Sequence, residues 1–469
     1  MADGEKGFFG KGLFGAFALI LFLLLRLGPA LPGLPPAGQG VLAVAAAAVV
    51  LWVGEVVPVA VSGLAVLALL GLSGGVRSVA GVFYGFSSPV VFFLVGSSAM
   101  GFAAVKTGLA DRLARFLLRR AGGEGRRLLP QLLLSLPPMA LLLPSAITRN
   151  AILIPVYLRL FRRLGWGPGD RPARAIMLAL GILNPLASSA LLTGGTVSFT
   201  AATLLGGVGW WEWFFAMSLP YYLLLAGGGT LLFLLYPGGA SSPSGPLSPE
   251  AEEPPGPLRP SERGVLAVIG GASVLWALDF VHGLSPALPA LLALLVLSLP
   301  RVGAFEWREF EREFSWSTVI VLGAALSLAR ALEGSGAAGW LAGRLLPLLP
   351  EGGASPALWA GALVATAAFL HLGVANLAAF LSLFIPIASS LGRAAGLNPF
   401  ACGLLVTLAT DAVILYPVQT ATSILAYEAG YYRAGEVIRL GLAMLALLLA
   451  LLPLAILPWW GFLGRGLAP

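Results

Sequence analysis

Charge is scarce in this chain: only 10% of its 469 residues are Asp, Glu, Lys or Arg, against about 25% in soluble domains. Cysteine occurs once, at Cys402, which excludes an intramolecular disulfide and a cysteine-built metal cluster. Histidine occurs twice, at His282 and His371, too far apart in sequence to form a local metal motif. Asparagine is confined to Asn150, Asn184, Asn376 and Asn398. What fills the chain instead is hydrophobic side chain, 58% of residues with a mean hydropathy of +0.91. Apolar windows of transmembrane length recur from Leu13 to Leu463, which predicts an all-α polytopic membrane protein.

The start "MADGEKGFFGKG" places lysines before the first apolar run, and no small-residue cleavage site follows it, so the run reads as a retained span with a cytoplasmic N-terminus. The net charge of +7 comes from arginines beside spans, without the aromatic interleaving that grips nucleic acid bases. Lys106, Arg112, Arg115, Arg119, Arg120, Arg126 and Arg127 form one cluster, and Arg159, Arg162, Arg163, Arg171 and Arg174 another. Both are expected to face the cytoplasm of a cell-membrane protein.

Between those clusters lie about 30 apolar residues, whereas two full crossings need roughly 40, and a single crossing would carry one cluster outside. A re-entrant hairpin over about 126–163 meets both constraints, its tip being "PSAITRN". Polar side chains at that depth are tolerated where they face protein or a water-filled cavity. A single tilted helix with a snorkelling Arg149 is the plainer alternative.

The sequence also repeats itself. "VLWVGE" (50–55) returns as "VLWALD" (274–279), "TGLADRLARFLL" (107–118) as "SGAAGWLAGRLL" (335–346), and "ILIPV" (152–156) as "LFIPI" (383–387), at offsets of 224, 228 and 231. Two repeats, 1–237 and 264–469, are therefore expected around a Pro-, Ser-, Gly- and Glu-rich cytoplasmic linker, 238–263. With an odd number of crossings in each, the second repeat is inverted and its own hairpin, about 355–393, opens outside. The spans then number about eleven, with two hairpins and amphipathic stretches at 108–121 and 335–349.

Two over-long spans carry helix-breaking residues. "NPLASSALLTGGTVSFTAATLL" begins at Asn184 within a broken helix of about 174–206, and "DAVILYPVQTATS" spans 411–423 within another of about 399–427. A broken helix frees N–H groups for an anion and carbonyls for a small cation, so tips and breaks together predict a binding chamber. Taken singly, small hydroxyl residues more often satisfy their own helix carbonyls or ease helix packing. Asp411 lies deep in its span and reads as protonated, cation-paired or bonded to Arg149; a purely structural ion pair is the bland alternative. His371 reads as a proton relay or, more simply, a histidine bonded to backbone. Glu55 and Asp279 read as structural, and His282 is assigned no chemistry.

"LWVGEVVP" (51–58), "KTGLADRLA" (106–114), "GLNPFACGLLVTLATDAVILYPVQT" (396–420) and "EVIRLGL" (436–442) resemble the pattern of the divalent anion/sodium symporters, carriers of dicarboxylates, citrate and sulfate, over nearly the whole length. The resemblance implies eleven transmembrane helices, two re-entrant hairpins, a homodimer, and scaffold and transport domains that move like an elevator. It places substrate between two Ser-Asn-Thr tips, each flanked by sodium. Counted back from Pro155 and Pro386, those tips fall here on Ser145, Ala146 and Ile147 and on Asn376, Leu377 and Ala378. Only Ser145 matches. The family's Gly-Thr-Pro-Pro-Asn breaks fall on "GGTVS" (194–198) and "QTATS" (419–423), with serine replacing asparagine in both.

The expected function is secondary transport of a small divalent anion coupled to sodium, with proton coupling or exchange as the runner-up. No enzyme activity or bound cofactor is expected beyond Na+ as coupling ion. Arg149 is expected as the anion's charged partner, with Ser145, Thr148, Asn150 and Asn376 at the tips. Asn184, Ser188, Thr193, Gly194, Gly195, Thr196, Ser198, Gln419, Thr420, Thr422 and Ser423 are expected from the breaks. Sodium ligands are sought among Ser145, Asn150, Gly195, Asn376, Thr420 and Asp411. An anion channel would share this lining; an intramembrane enzyme would need a nucleophile with a base or a metal cluster, which the sequence does not place together.

Overall fold

The computed structural model describes residues 2–54, 57–113, 125–237, 256–300, 303–348, 355–374 and 376–468, with the backbone alone for 2–13, 125–126 and 348. Glu55, Arg115, Arg119, Arg120, the stretch 114–121 and most of the expected linker, 238–255, lie outside them. Among the described residues every regular element is helical. A bilayer imposes this, because it offers no water to unpaired N–H and C=O groups and a helix satisfies its own.

Among the described residues, seven helices are long and apolar enough to cross a membrane: Pro36–Val53, Pro89–Lys106, Trp210–Leu235, Trp316–Gly334, the run Pro356–Gly373, Leu377–Ala394 and the run Ala434–Phe462. Shorter apolar helices are Phe14–Leu27, Val59–Leu72, Arg127–Leu142, Ala287–Leu297 and Pro399–Ala412. Several of the short ones adjoin chain breaks whose causes are local. Pro144 pushes Leu143 out of helical backbone, so Gly125–Leu142 stops there, and Ser145 (φ −145°, ψ 112°) caps the next helix, Ala146–Leu164, by accepting the Thr148 N–H at 3.2 Å. Gly165, at φ 69°, ends that helix in left-handed backbone, with Arg162 and Arg163 in its last turn beside the negative end of the helix dipole.

Elements from the two ends of the chain pair off reciprocally. Trp316–Gly334 packs on Val59–Leu72, while Pro89–Lys106 packs on Ala287–Leu297. Ala146–Leu164 meets Ala421–Glu428, while Leu377–Ala394 meets Thr196–Leu204. Trp210–Leu235 lies against Ala434–Leu451. Small residues permit the closest approaches: a Cβ on Gly96 would lie 2.5 Å from the backbone of Ala290, and one on Gly63 3.3 Å from Val321.

Charged pairs sit at the helix ends. Lys106 bonds Glu309, holding that carboxyl below the usual carboxylate range. Arg112 pairs with Glu262 at 3.0 Å, and Arg174 with Glu436 at 2.8 Å. Both acids also cap a helix start, on the N–H of Arg259 (2.7 Å) and of Arg433 (2.8 Å). Asp279 accepts the Trp210 N–H at the start of Trp210–Leu235, which agrees with its structural reading.

The turn at Tyr84–Ser87 is held against Trp316–Gly334 by the Gly85 N–H, which donates to Ser327 Oγ at 2.9 Å. A Cβ there would lie 2.0 Å from the Gly323 carbonyl oxygen. Gly85→Ala is expected to cost about 1–3 kcal/mol through overpacking, read as a lower melting temperature in detergent. An unchanged melting point would refute this contact.

Candidate functional site

The helix Arg171–Leu178 continues through a widened π turn, Ala179–Leu183, into Asn184–Ser189. The π turn leaves the Leu180 carbonyl without its usual helical partner, and this oxygen accepts from Asn150 Nδ2 at 2.9 Å. The chain is then non-helical over 190–195 and resumes as Thr196–Leu204. Gly194 is required at this break: a Cβ would lie 1.9 Å from the Ser188 carbonyl oxygen, which is already bonded to the Leu191 N–H at 2.9 Å. Gly195 is extended, at φ −176°, a conformation open to any residue.

The second break runs over 413–420, between Pro399–Ala412 and Ala421–Glu428. Here a side chain replaces the missing helix. Gln419 Oε1 accepts from the N–H of Leu415 (2.8 Å) and Tyr416 (3.2 Å), and its Nε2 lies 2.6 Å from His371 Nδ1. With Gln419 Oε1 fixed as an acceptor, Nε2 is the donor, so His371 Nδ1 accepts and the proton sits on Nε2. His371 is thus bonded to a side chain of the break, not to backbone. It closes the helix Pro356–Leu370 just before the second tip, where Asn376 accepts the Ala379 N–H at 3.0 Å. Ser145 and Asn376 therefore do the same local work, each capping the helix that leaves its tip.

Polar residues of the first tip form one connected network. Arg149 is fully buried; its Nε donates to Asn184 Oδ1 (2.8 Å), Nη1 to the Leu143 carbonyl (2.7 Å), and Nη2 to the Asn184 carbonyl (3.1 Å) and Ser188 Oγ (2.8 Å). Asn184 Nδ2 donates to the Ala146 carbonyl (3.0 Å) and to Asn150 Oδ1 (2.7 Å). Asn150 Nδ2 donates in turn to the Thr422 carbonyl at 3.1 Å, crossing to the other half of the chain. All four of Arg149's hydrogen bonds go to groups of the first half of the chain, on Leu143, Asn184 and Ser188.

The remaining expected residues divide by what they touch. Thr193 Oγ1 accepts from Trp210 Nε1 (3.1 Å), Ser198 Oγ donates to the Gly195 carbonyl (3.2 Å), and Thr420 Oγ1 accepts the Ser423 N–H (3.2 Å) while lying 3.1 Å from Thr422 Oγ1. Ser145, Thr148, Gly195, Thr196 and Asn376 are half-buried, and Ser423 Oγ is buried without a partner. Asp411 does not pair with Arg149; Ser189 and Tyr221 flank it, and its Oδ2 and the Tyr221 hydroxyl have no geometrically sound hydrogen bond. Sequence reasoning missed Tyr221, because nothing in "LPYYLLL" distinguishes this hydroxyl from its neighbour, and it read Ser189 only as a small hydroxyl that satisfies its own helix or eases packing. His282 bonds the Leu275 carbonyl and the Leu284 N–H, as a structural residue does. Two of the cavities, of about 560 and 620 Å³, are lined around Phe199–Glu212 with Asp279–Pro286 and around Pro168–Arg174 with Gly430–Arg439, and neither of these includes a tip residue.

Each of the helices capped by Ser145 and Asn376 thus packs on an interrupted helix of the other half of the chain. Residues 13–465 match the family model described as the sodium:sulfate symporter transmembrane region. The chain belongs to this family. The chain is 26% identical to a membrane protein of Cupriavidus necator over 97% of this chain and 93% of that one. It is also 26% identical to the L-tartrate/succinate antiporter of Escherichia coli (80% and 79% covered) and to the chloroplastic dicarboxylate transporter 1 of Spinacia oleracea (70% and 61% covered).

Asn184 is the hub of the network, since it faces Arg149 with its oxygen and Asn150 with its nitrogen. Asn184→Ala is expected to destabilise the protein by about 3 kcal/mol, because it strips an acceptor from a buried charge. A melting temperature equal to the parent's would remove the network from any account of the site.

Proposed function

We propose that the protein is a secondary carrier of a small divalent anion of the dicarboxylate class, working by alternating access at the two tips and the two helix breaks. The observation that carries this reading is the reciprocal docking of each tip helix on the other half's interrupted helix. That arrangement gathers freed backbone N–H groups and one buried positive charge into a single region at membrane depth. Arg149 acts on the anion through its field and not by contact, an effect that a low-dielectric interior screens far less than water does. Ser145, Thr148 and Asn376 at the tips, and Thr196 and Ser423 at the breaks, are the groups we assign to contact.

We take the chain as two inverted repeats, with the tips and breaks as a moving body that slides against the early helices of each repeat, in a homodimer. Its place is the cell membrane, crossed about eleven times, with two re-entrant hairpins and the N-terminus and linker in the cytoplasm. Sodium is the coupling ion we assign, at Asp411 with Ser189 and Tyr221, where a carboxylate oxygen is buried without a partner. Exchange of one dicarboxylate for another is a second reading, which the relatedness to a tartrate/succinate antiporter favours.

Protein reconstituted in liposomes preloaded with succinate is expected to take up labelled succinate with saturation and to be stimulated by the internal pool. Linear, non-saturating flux would sink the carrier reading in favour of a channel. Asp411→Asn is expected to keep this exchange while losing its response to an imposed sodium or proton gradient, and an intact gradient response would remove Asp411 from coupling.

A further inference from the structure

The surroundings of Arg149 are unusual for a buried membrane arginine. Such a residue normally meets a carboxylate or backbone carbonyls, or snorkels to the interface, and the carboxylate and the snorkel are the commoner ways to offset its charge. Arg149 relies on neutral oxygens alone: it is fully buried, and among the described residues no carboxylate lies within 4.0 Å of it. Its partners are two backbone carbonyls (Leu143 and Asn184), one amide oxygen (Asn184 Oδ1) and one hydroxyl (Ser188 Oγ), between 2.7 and 3.1 Å from its nitrogens. Hard, neutral oxygens of this kind, supplied by a helix interruption, are the ligands by which membrane proteins hold small cations.

The orientation of the amides is forced. Asn184 Nδ2 already has two acceptors, Ala146 O and Asn150 Oδ1, so its oxygen must face Arg149. Asn150 Nδ2 has two of its own, Leu180 O and Thr422 O, so its oxygen must face Asn184. The network is thus built to present oxygen to a positive charge. At the second tip the position matching Arg149, at the offset of "ILIPV" and "LFIPI", is Phe380, whose ring lies tilted against that of His371 at 4.9 Å between ring centres. The first tip alone carries a cation of its own.

We propose that the Arg149 guanidinium is a tethered cation, filling an oxygen nest that in its absence would take an alkali ion from solution. The charge at the first tip is then fixed in the chain, and no dissolved ion enters the cycle there. The consequence for coupling rests on the carrier reading above; the site itself does not, and its test reads ion binding without transport.

The experiment compares thermal unfolding of the full-length protein in detergent, in choline, lithium, sodium and potassium chloride at matched ionic strength, for the parent, Arg149→Ala and Arg149→Lys. Arg149→Ala is expected to gain a saturable stabilisation by one alkali ion, beyond any salt response of the parent, whereas Arg149→Lys, which keeps a charge in the nest, is expected to behave like the parent. A folded Arg149→Ala with the parent's salt response overturns the proposal, as does an Arg149→Lys that gains the same ion dependence. If Arg149→Ala fails to fold in every salt, a folded, ion-indifferent Arg149→Lys upholds the role of the charge; an Arg149→Lys that also fails shows that the forked geometry is what matters, and overturns it.

Discussion

Everything at this site follows from the lipid's refusal to solvate an unpaired peptide group. A helix interrupted at membrane depth must be repaired by side chains, and each repair fixes where those side chains point. Gln419 stands in for missing helical carbonyls at Leu415 and Tyr416, and Arg149 takes up the Leu143 carbonyl freed at the first tip. The polar residues are placed by these obligations first, and whatever binding surface remains is what the repairs leave open. Ser423 Oγ and Asp411 Oδ2, buried and unpartnered, are among the groups left over.

The two halves meet the same obligation with different chemistry. The first uses a charged fork, two amides and a hydroxyl; the second uses one amide and a neutral imidazole. Because Arg149 has neutral partners only, its charge is incompletely compensated by the protein, and a field of that sign persists at the first tip. His371 contributes no such charge in the tautomer its Gln419 bond requires. The surroundings of the two capped helix starts therefore differ in charge.

Much of this was legible in the chain itself. Pro144 and Ser145 mark the first tip because a proline and a good N-cap act locally, and Gly194 and Pro417 mark the breaks for the same reason. The family resemblance quoted from four short stretches agrees with a match over 13–465. The orientation of Arg149 was not legible, since a sequence places a charge at a depth without saying whether it faces a cavity or a carbonyl. Nor was the neighbourhood of Asp411: Ser189 and Tyr221 come from separate helices and are brought beside it only by tertiary packing.

The bond from Asn150 to the Thr422 carbonyl joins residues 272 positions apart. During synthesis the first tip is made long before its partner exists, so Asn150 must wait in the membrane with a donor unsatisfied until nearly the whole polypeptide has been threaded in. Such distant closure is slow. It makes the last helices the clasp of the molecule, closing over the first half only once Thr422 is in place.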